Sequence, residues 1–265
     1  MYTCGIDVGS VSTEALILDE KAIMGEGQEP RILSYTIVPT GSNSKLAAEK
    51  ALEAACKKAN IDRNEISFIV ATGYGRVSIP FADKNITEIT CHAKGVTSIF
   101  PDTRTVIDVG GQDSKVIKLD QERNPVDFLM NDKCAAGTGR FLEVMAKALE
   151  IRLEEFQEIF MKTKERVEIT STCTVFAESE IVSLIGHGVK KEKIVKGLIY
   201  SVANRIASMV ERLGLEEPVC MTGGVAKNLG VIKALEENLK VEIKIPPEPQ
   251  ITGALGAAYL AQQLV

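Results

Sequence analysis

The chain carries an internal repeat, and this repeat constrains its fold more than any other feature of the sequence. Residues 6–9 read Ile-Asp-Val-Gly, and so do residues 107–110. The match runs without a gap to a Leu-Asp pair at 18–19 and again at 119–120, so the offset is 101 residues throughout. A strand that enters a glycine turn and returns as a second strand is typical of a β-hairpin. Two copies predict two related domains, each opening with such a hairpin.

Helical and strand patterns follow both hairpins, as in an α/β fold. The predicted elements are helices over 44–59 and 193–213 and from Gly253 onward, and strands over 67–72, 218–221 and 241–245. A polar excursion is predicted over 20–31. We expect a first domain over 1–104 and a second over 105–265. Whether the C-terminal helix returns to the first domain is left open.

The paired hairpins predict a nucleotide clamp. Facing each other across a cleft, each would offer turn amides to phosphate oxygens and an aspartate, Asp7 or Asp108, to a hydrated magnesium ion. One such aspartate alone would more simply cap its own turn. Two copies, with a Thr-Gly-Gly loop at 222–224, favour a nucleotide site in which Gln112 orients the attacking water. The other candidate nucleotide contacts are Gly9, Ser10, Ser12, Thr13, Gly110, Gly111, Asp113, Gly223, Gly224 and Lys227.

Composition excludes several other classes of protein. The formal net charge of -5 argues against a general binder of nucleic acid or of anionic membranes. No apolar run approaches membrane-spanning length, and the amino terminus lacks the pattern of a signal peptide, so we expect a cytoplasmic protein. The chain has neither a G-x-x-x-x-G-K-[ST] loop nor a G-x-G-x-x-G turn. A nucleotide site must therefore be built from other elements.

Six cysteines are spread along the chain without a Cys-x-x-Cys pair, so a disulfide framework is not expected. Cys4, Cys56 and Cys220 fall in apolar strands or an alanine-rich helix and read as buried thiols. For Cys91 and His92 a structural role is favoured over zinc binding, because His92 has no second ligand nearby in the sequence.

Cys134 and Cys173 stand apart, because each precedes an amphipathic helical pattern. The pattern after Cys134 is formed by Phe141, Met145, Ala148 and Leu149, and the pattern after Cys173 by Ala177, Ile181, Leu184 and Ile185. We expect both cysteines at helix N-termini, where the helix dipole favours thiolates and anionic ligands. The pair is therefore a candidate for metal ligation.

These motifs together resemble the activator ATPases of the 2-hydroxyacyl-CoA dehydratase and benzoyl-CoA reductase family. The resemblance rests on the Asp-x-Gly hairpins, the Thr-Gly-Gly loop, and the stretches Asn131–Arg140 and Ser171–Glu180. It implies a duplicated ribonuclease-H-like fold of the actin, sugar-kinase and heat-shock-chaperone superfamily, with ATP bound between two domains. It also implies a homodimer with one shared 4Fe-4S cluster, which passes one low-potential electron to a partner enzyme.

The number of thiols agrees with a shared cluster. A cube needs four thiolates and the chain offers two plausible ones, Cys134 and Cys173, so two copies related by a two-fold axis would complete it. The resemblance further implies ferredoxin or flavodoxin as electron donor and an iron-sulfur acyl-CoA dehydratase or reductase as acceptor. One residue departs from the family pattern: Glu14 occupies the place of a lysine in the first phosphate hairpin.

Three alternatives to a dehydratase activator remain open at this point. The chain could be the ATP-coupling subunit of a benzoyl-CoA-reductase-type or other double-cluster reductase. A small-molecule kinase of the same superfamily would use the same cleft without needing the two cysteines. A nucleotide-switched binding protein would use the cysteines only structurally.

Overall fold

Two sheets of identical topology form the framework of the molecule. A computed structural model describes residues 2–19, 32–171 and 173–265, so the predicted excursion over 20–31 lies outside the described residues. The first sheet consists of β1 (Tyr2–Val8), β2 (Ser12–Asp19), β3 (Ile32–Pro39), β4 (Ile66–Thr72) and β5 (Lys84–Asn85), in the order β3-β2-β1-β4-β5. The second consists of β6 (Thr105–Val109), β7 (Ser114–Leu119), β8 (Pro125–Asn131), β9 (Val219–Thr222) and β10 (Ile243–Lys244), in the order β10-β9-β6-β7-β8.

The two sheets confirm the duplication that the repeat predicts. β1 pairs antiparallel with β2 and parallel with β4, and β6 in the same way pairs antiparallel with β7 and parallel with β9. In each sheet the first strand of the hairpin therefore pairs with two strands. On one side it pairs with the second strand of the hairpin, and on the other side with a later, parallel strand. This is the duplicated ribonuclease-H-like α/β arrangement expected from the sequence.

The helices cover the faces of the two sheets. They are α1 (Ser44–Ala59), α2 (Glu88–Ile99), α3 (Gly139–Ala148), α4 (Glu155–Met161), α5 (Thr174–Gly186), α6 (Lys191–Leu213), α7 (Leu229–Leu239) and α8 (Thr252–Gln262). The helix predicted over 44–59 is confirmed, and Asn43 starts it by accepting a hydrogen bond from Leu46 N. The strand predicted over 241–245 is shorter, because only β10 pairs with β9. None of the described helices is long and apolar enough to cross a bilayer.

The outer face of each sheet is covered by helices of its own half. Ile6 and Val8 pack on Leu52 and the buried alanines of α1. Phe141 and Met145 of α3 belong to the core of the second half, together with residues of α4, α5, α6 and α7. A fully buried aliphatic side chain of this kind contributes roughly 1.5–3 kcal/mol. The cores of the two halves thus fix the backbones of the hairpins.

α2 and α8 lie between the two sheets and approach each other closely. A Cβ atom on Gly95 would lie 2.0 Å from Thr252 O, and one on Gly256 would lie 1.8 Å from Cys91 O. Only glycine fits at these two positions. α8 packs on Leu16 and Leu18 of the first sheet, whereas α2 contributes to a core with strands of the second. We propose a domain division at residues 104 and 105, with α8 returning to the first domain.

Candidate nucleotide cleft and cysteine surface

The two hairpin turns meet at the mouth of one cleft. A Cβ atom on Gly111 would lie 2.3 Å from Cγ2 of Val11, so the tips of the two hairpins touch. The cleft has a volume of about 660 Å³, which lies within the usual size range of small-molecule sites. Both halves of the duplication therefore contribute to a single cavity.

Both turns are closed by the same backbone hydrogen bond. Gly9 N donates to Ser12 O over 3.0 Å, and Gly110 N donates to Asp113 O over 3.0 Å. These four residues form two pairs that are related by the offset of the repeat. The repeat thus extends from sequence to turn geometry.

Most of the predicted site residues line this cleft. They are Asp7, Gly9, Ser10, Ser12, Asp108, Gly110, Gly111, Gln112, Asp113, Gly223, Gly224 and Lys227. Thr13 does not line it, because side chains alternate along β2 and Ser12 and Glu14 take the cleft side. The Thr13 hydroxyl is instead hydrogen-bonded to Thr40 Oγ1 at 2.8 Å. We therefore remove Thr13 from the candidate nucleotide contacts.

Two buried carboxylates lie together on the first hairpin. Asp7 and Glu14 are opposite each other in the register of β1 and β2, and they are 8% and 4% exposed. Burial, opposed by His92 and helped by Glu88 and Asp108, raises the pKa of Asp7 to about 6. Burial and the Asp7 carboxylate raise the pKa of Glu14 well above its usual range, against a hydrogen bond from Ser12. This side of the cleft has excess negative charge when its carboxyl groups ionise.

The second hairpin places a lysine at the position equivalent to Glu14. Lys115 is opposite Asp108 in the register, and its Nζ lies 3.1 Å from Asp108 Oδ2, 2.7 Å from Asp113 Oδ2 and 3.3 Å from Glu88 Oε2. Burial opposes ionisation of Asp108, but His92 and Lys115 outweigh it and hold the pKa of Asp108 at about 2. The pKa of Lys115 is raised by the same carboxylates, although burial acts against them. Asp108 is thus an ionised carboxylate with its own counter-ion.

His92 connects the two aspartates and was not among the predicted site residues. Its Nε2 lies 3.8 Å from Asp7 Oδ2, its Nδ1 lies 3.6 Å from Asp108 Oδ1, and Thr222 Oγ1 is 3.2 Å from Nδ1. His92 therefore belongs to the cleft and is not only a buried residue of α2. The spacing of Glu88 and His92, one helical turn apart on α2, was the available signal, since both side chains project from the same face.

Glycines bring two further loops against the aspartates. Gly73 follows β4 with φ +83°, and a Cβ atom there would lie 2.3 Å from Asp7 Oδ1. Gly223 follows β9 with φ +84°, and a Cβ atom there would lie 2.9 Å from Asp108 Oδ1. Both positions need a left-handed backbone and lack room for a side chain. Beyond Gly223, Lys227 pairs with Glu248 at 2.8 Å on the rim of the cleft.

A loop that we call the cysteine loop, residues 132–138, joins this cleft to α3. The first amides of α3 donate to the second hairpin turn: Gly139 N to Gly110 O over 3.0 Å and Arg140 N to Gly111 O over 2.8 Å. The hairpin thus satisfies helix amides that have no partner inside the helix. Cys134 lies five residues before Gly139, so the prediction that it occupies a helix N-terminus is wrong. A turn that includes Gly137 at φ +81° separates the cysteine from the helix.

Cys173 confirms the expectation of a helix start, because it is the N-cap residue of α5. It is exposed and Cys134 is partly exposed, whereas the remaining four cysteines are buried. Burial raises the pKa of Cys91 and of Cys220 to about 12 and also raises the pKa of Cys4 and Cys56. Cys134 and Cys173 are therefore the thiols available for ligation.

The surface of α5 beside Cys173 is apolar. Val175 and Phe176 are each 67% exposed, and Val182 is 58% exposed. Exposed large apolar side chains grouped on one element are typical of an interaction surface.

Comparison with known proteins shows the family of the chain. The sequence profile described as the BadF/BadG/BcrA/BcrD ATPase family matches residues 4–261, and the chain belongs to this family. An activator of lactoyl-CoA dehydratase from Anaerotignum propionicum is 48% identical over 99% of this chain and 98% of its own length. The (R)-2-hydroxyglutaryl-CoA dehydratase activating ATPase of Acidaminococcus fermentans is 45% identical over 98% of this chain and 97% of its own.

A solved structure is similar over the whole chain. It is the activator of the 2-hydroxyisocaproyl-CoA dehydratase from Clostridium difficile with bound ADPNP, with a TM-score of 0.92 and 45% identity, covering 100% of this chain and 95% of the other. The family resemblance predicted from the sequence is therefore confirmed, and so is the fold class.

Proposed function

We propose that this protein is an ATP-dependent one-electron donor that activates a 2-hydroxyacyl-CoA dehydratase. The observation that carries the proposal is the direct contact between the nucleotide cleft and the cysteine loop, made by the hydrogen bond from Thr138 Oγ1 to Gly111 O over 3.0 Å, beside which the first α3 amides bond Gly110 and Gly111. A protein that needed only to hydrolyse ATP would not require available thiols beside its phosphate-binding turn. Relatives named as dehydratase activators, at 45–48% identity, support this choice of partner.

ATP would occupy the cleft with its phosphates between the two hairpin turns. Turn amides around Gly9 and Gly110 would contact phosphate oxygens. Magnesium fits the acidic side of the cleft, because Asp7 is a buried carboxylate whose ion-pair partner among the described residues is His92, while Lys115 acts on it only from a longer distance. Asp7 and Asp108 would hold the hydrated ion, and Gln112 would orient the attacking water. The nucleotide would also touch the Gly223–Gly224 loop and Lys227.

The two available thiols fit a shared iron-sulfur cluster. In the described part of the chain no three His, Cys, Asp or Glu side chains are grouped as metal ligands, so a single chain supplies Cys134 and Cys173 only. Two chains related by a two-fold axis would supply four thiolates. When bound, a 4Fe-4S cluster would accept and release one electron at low potential. The N-terminal amides of α5 would face this negative charge and favour its reduced form.

The partners follow from this chemistry. The protein would act as a homodimer in the cytoplasm, take its electron from ferredoxin or flavodoxin, and deliver it to an iron-sulfur acyl-CoA dehydratase. An acyl-CoA reductase of the benzoyl-CoA type is the alternative acceptor, and a component of the benzoyl-CoA reductase of Thauera aromatica is 27% identical over 97% of this chain. A small-molecule kinase is not favoured, because that reaction gives no role to Cys134 or Cys173.

Anaerobic iron and sulfide analysis combined with native mass measurement tests this proposal. We expect one 4Fe-4S cluster per two chains and loss of iron in both Cys134→Ser and Cys173→Ser. Cys56→Ser is the matched control, because Cys56 is a buried thiol of α1 and should leave the iron content unchanged. A colourless monomer after anaerobic reconstitution, or four irons bound to each single chain, contradicts the shared cluster.

A further inference from the structure

Thr138 lies between the second hairpin turn and the thiol of the cysteine loop. Its side chain is fully buried, and it occupies the N-cap position of α3. N-cap threonines usually accept a hydrogen bond from an amide of the first helical turn, but Thr138 makes no such bond. Its hydroxyl donates outward, to Gly111 O at 3.0 Å and to Ala135 O at 2.6 Å. The hydroxyl thus serves the two flanking segments rather than the helix.

The two acceptors belong to the two functional parts of the molecule. Gly111 is in the turn that lines the cleft, and Ala135 directly follows Cys134. A hydroxyl has one hydrogen, which either is shared between two carbonyls or is donated fully to one of them. Movement of the turn away from the loop would therefore shift the bond toward Ala135.

The hydroxyl is not needed to satisfy either carbonyl. Gly111 O also accepts from Arg140 N over 2.8 Å, and Ala135 O also accepts from Thr138 N over 3.0 Å. Removing the hydroxyl would leave no buried backbone acceptor without a partner, so the fold should tolerate the change. What the hydroxyl adds is a defined distance between the hairpin turn and the cysteine loop.

Thr138 has a glycine on each side and carries the only side chain of residues 137–139. Gly137 has φ +81°, and a Cβ atom there would lie 2.9 Å from Cδ of Arg205. Gly139 begins α3 directly on the hairpin turn. Thr138 therefore supplies the one side-chain hydrogen bond from residues 137–139 to the hairpin turn, next to the backbone bond from Gly139 N to Gly110 O.

We propose that Thr138 is the positioning residue that transmits nucleotide occupancy of the cleft to Cys134. The turn at Gly111 responds to the nucleotide, and the hydroxyl carries this response to the backbone beside the thiol. The proposal rests on the proposed function only in requiring that nucleotide binds the cleft. It does not require a cluster.

Alkylation of Cys134 by iodoacetamide measures this coupling without iron. The full-length, metal-free chain carries Cys173→Ser, which leaves Cys134 as the accessible thiol, and mass spectrometry follows the rate with saturating Mg-ADP, Mg-AMPPNP or no nucleotide. We expect the rates to differ by at least about fivefold between nucleotide states, the lower end of ordinary coupling. Thr138→Val should reduce this ratio of alkylation rates to nearly one. The dissociation constants of both nucleotides should change by a smaller factor than the ratio does.

Two control variants separate positioning from loss of stability. Thr138→Ser keeps the hydroxyl and should keep the ratio. Thr3→Val removes an equally buried hydroxyl, which donates to Ala258 O over 3.2 Å in the first half, and should also keep it. A Thr138→Val protein that retains the wild-type ratio overturns the proposal, and so does a wild-type ratio of one.

Amide hydrogen exchange in the unmodified chain gives a second test that does not depend on the valine variant folding. Exchange at residues 135–140 should differ between Mg-ADP and Mg-AMPPNP, while exchange in α1 should not. Equal exchange at 135–140 in both states overturns the proposal. A wild-type protein that takes up no iron on anaerobic reconstitution, in a chain that shows the expected alkylation pattern, overturns the electron-transfer function alone. An iron-loaded ATPase in which Thr138→Val behaves as wild type overturns this link alone.

Discussion

The two hairpins of the molecule have the same backbone geometry, but the residues opposite their aspartates have opposite charge. Asp7 and Asp108 are the last-but-one residues of equivalent strands, and both turns close with the same glycine hydrogen bond. The residue opposite the aspartate is Glu14 in the first hairpin and Lys115 in the second, and both are buried. Duplication has preserved the geometry while the charge of the two sites has diverged.

This difference shows which half of the cleft needs a cation from outside. Lys115 already pairs with Asp108 and Asp113 of the second half and with Glu88 of α2. Asp7 faces Glu14, and burial keeps the pKa of both carboxyl groups high. A bound divalent cation would therefore gain most on the first hairpin. The departure at Glu14, which looks repulsive toward phosphate in the sequence, is consistent with a stronger demand for metal on this side.

The largest effect should come from removing the counter-ion of the second hairpin. Lys115→Met would leave three carboxylates without their shared partner, so we expect the free energy of unfolding to fall by about 3–5 kcal/mol at pH 7. Urea unfolding measures this loss. Lys118→Met is the matched control on the same strand, because Lys118 is 27% exposed where it pairs with Glu216, and it should cost about 1 kcal/mol or less. Equal losses in the two variants would show that the charges around Lys115 are solvated.

The next effect separates the roles of the two aspartates in ATP hydrolysis. Asp108→Asn should lower kcat by about 100-fold, the order found when a charge-stabilising group is lost, without altering the reactivity of Cys134. Asp7→Asn should instead raise the magnesium concentration needed for half-maximal rate. Steady-state ATPase assays across a magnesium titration distinguish these two responses.

Asp83→Asn is the control for both aspartate variants, because the Asp83 carboxylate accepts a hydrogen bond from Ile69 N outside the cleft. It should leave the ATPase rate and its magnesium dependence near wild type. Wild-type ATP turnover in Asp108→Asn would remove Asp108 from the nucleotide site. An identical magnesium response in Asp7→Asn and Asp108→Asn would show that the two hairpins do not differ in their need for magnesium.

The sequence predicts the parts of this molecule that depend on local pattern. The repeat identifies both hairpins, and alanine spacing identifies α1 with its correct ends. The sequence places Cys134 at a helix start because the turn after it cannot be distinguished there from the first turn of α3. It groups Thr13 with its neighbours because a motif in sequence does not show which side of a strand faces a ligand.

The residues that sequence reasoning missed reach the cleft through long-range packing. His92 and Glu88 belong to α2, whose position between the sheets depends on glycine contacts with α8, more than 150 residues further along the chain. Lys115 lies inside the repeat, yet its significance depends on Glu88 and Asp113 being within reach. No local pattern reports such a contact.

The smallest expected effect is a difference in pH dependence between the two aspartates. The folded pKa of Asp7 is about 6, above its ordinary value of 3.8. Its contribution to stability is therefore present at low pH and is lost as pH rises from about 4 through about 6. The folded pKa of Asp108 is about 2, so its contribution is present above about pH 4 and is lost only as pH falls through about 2. The two hairpins thus respond to pH with opposite sign.

Urea unfolding of the metal-free protein between pH 4 and pH 7 measures this difference. Over this range wild type should lose roughly 2–3 kcal/mol relative to Asp7→Asn, because one pKa unit corresponds to about 1.4 kcal/mol. Thr3→Val serves as the control, because it removes a buried hydroxyl and no titratable group, so its difference from wild type should stay constant over this range. Magnesium should restore the lost stability of wild type above pH 6, because the cation binds the ionised form of Asp7. Parallel curves for wild type and Asp7→Asn would mean that the Asp7 carboxylate is solvated, and the first hairpin would then need no cation.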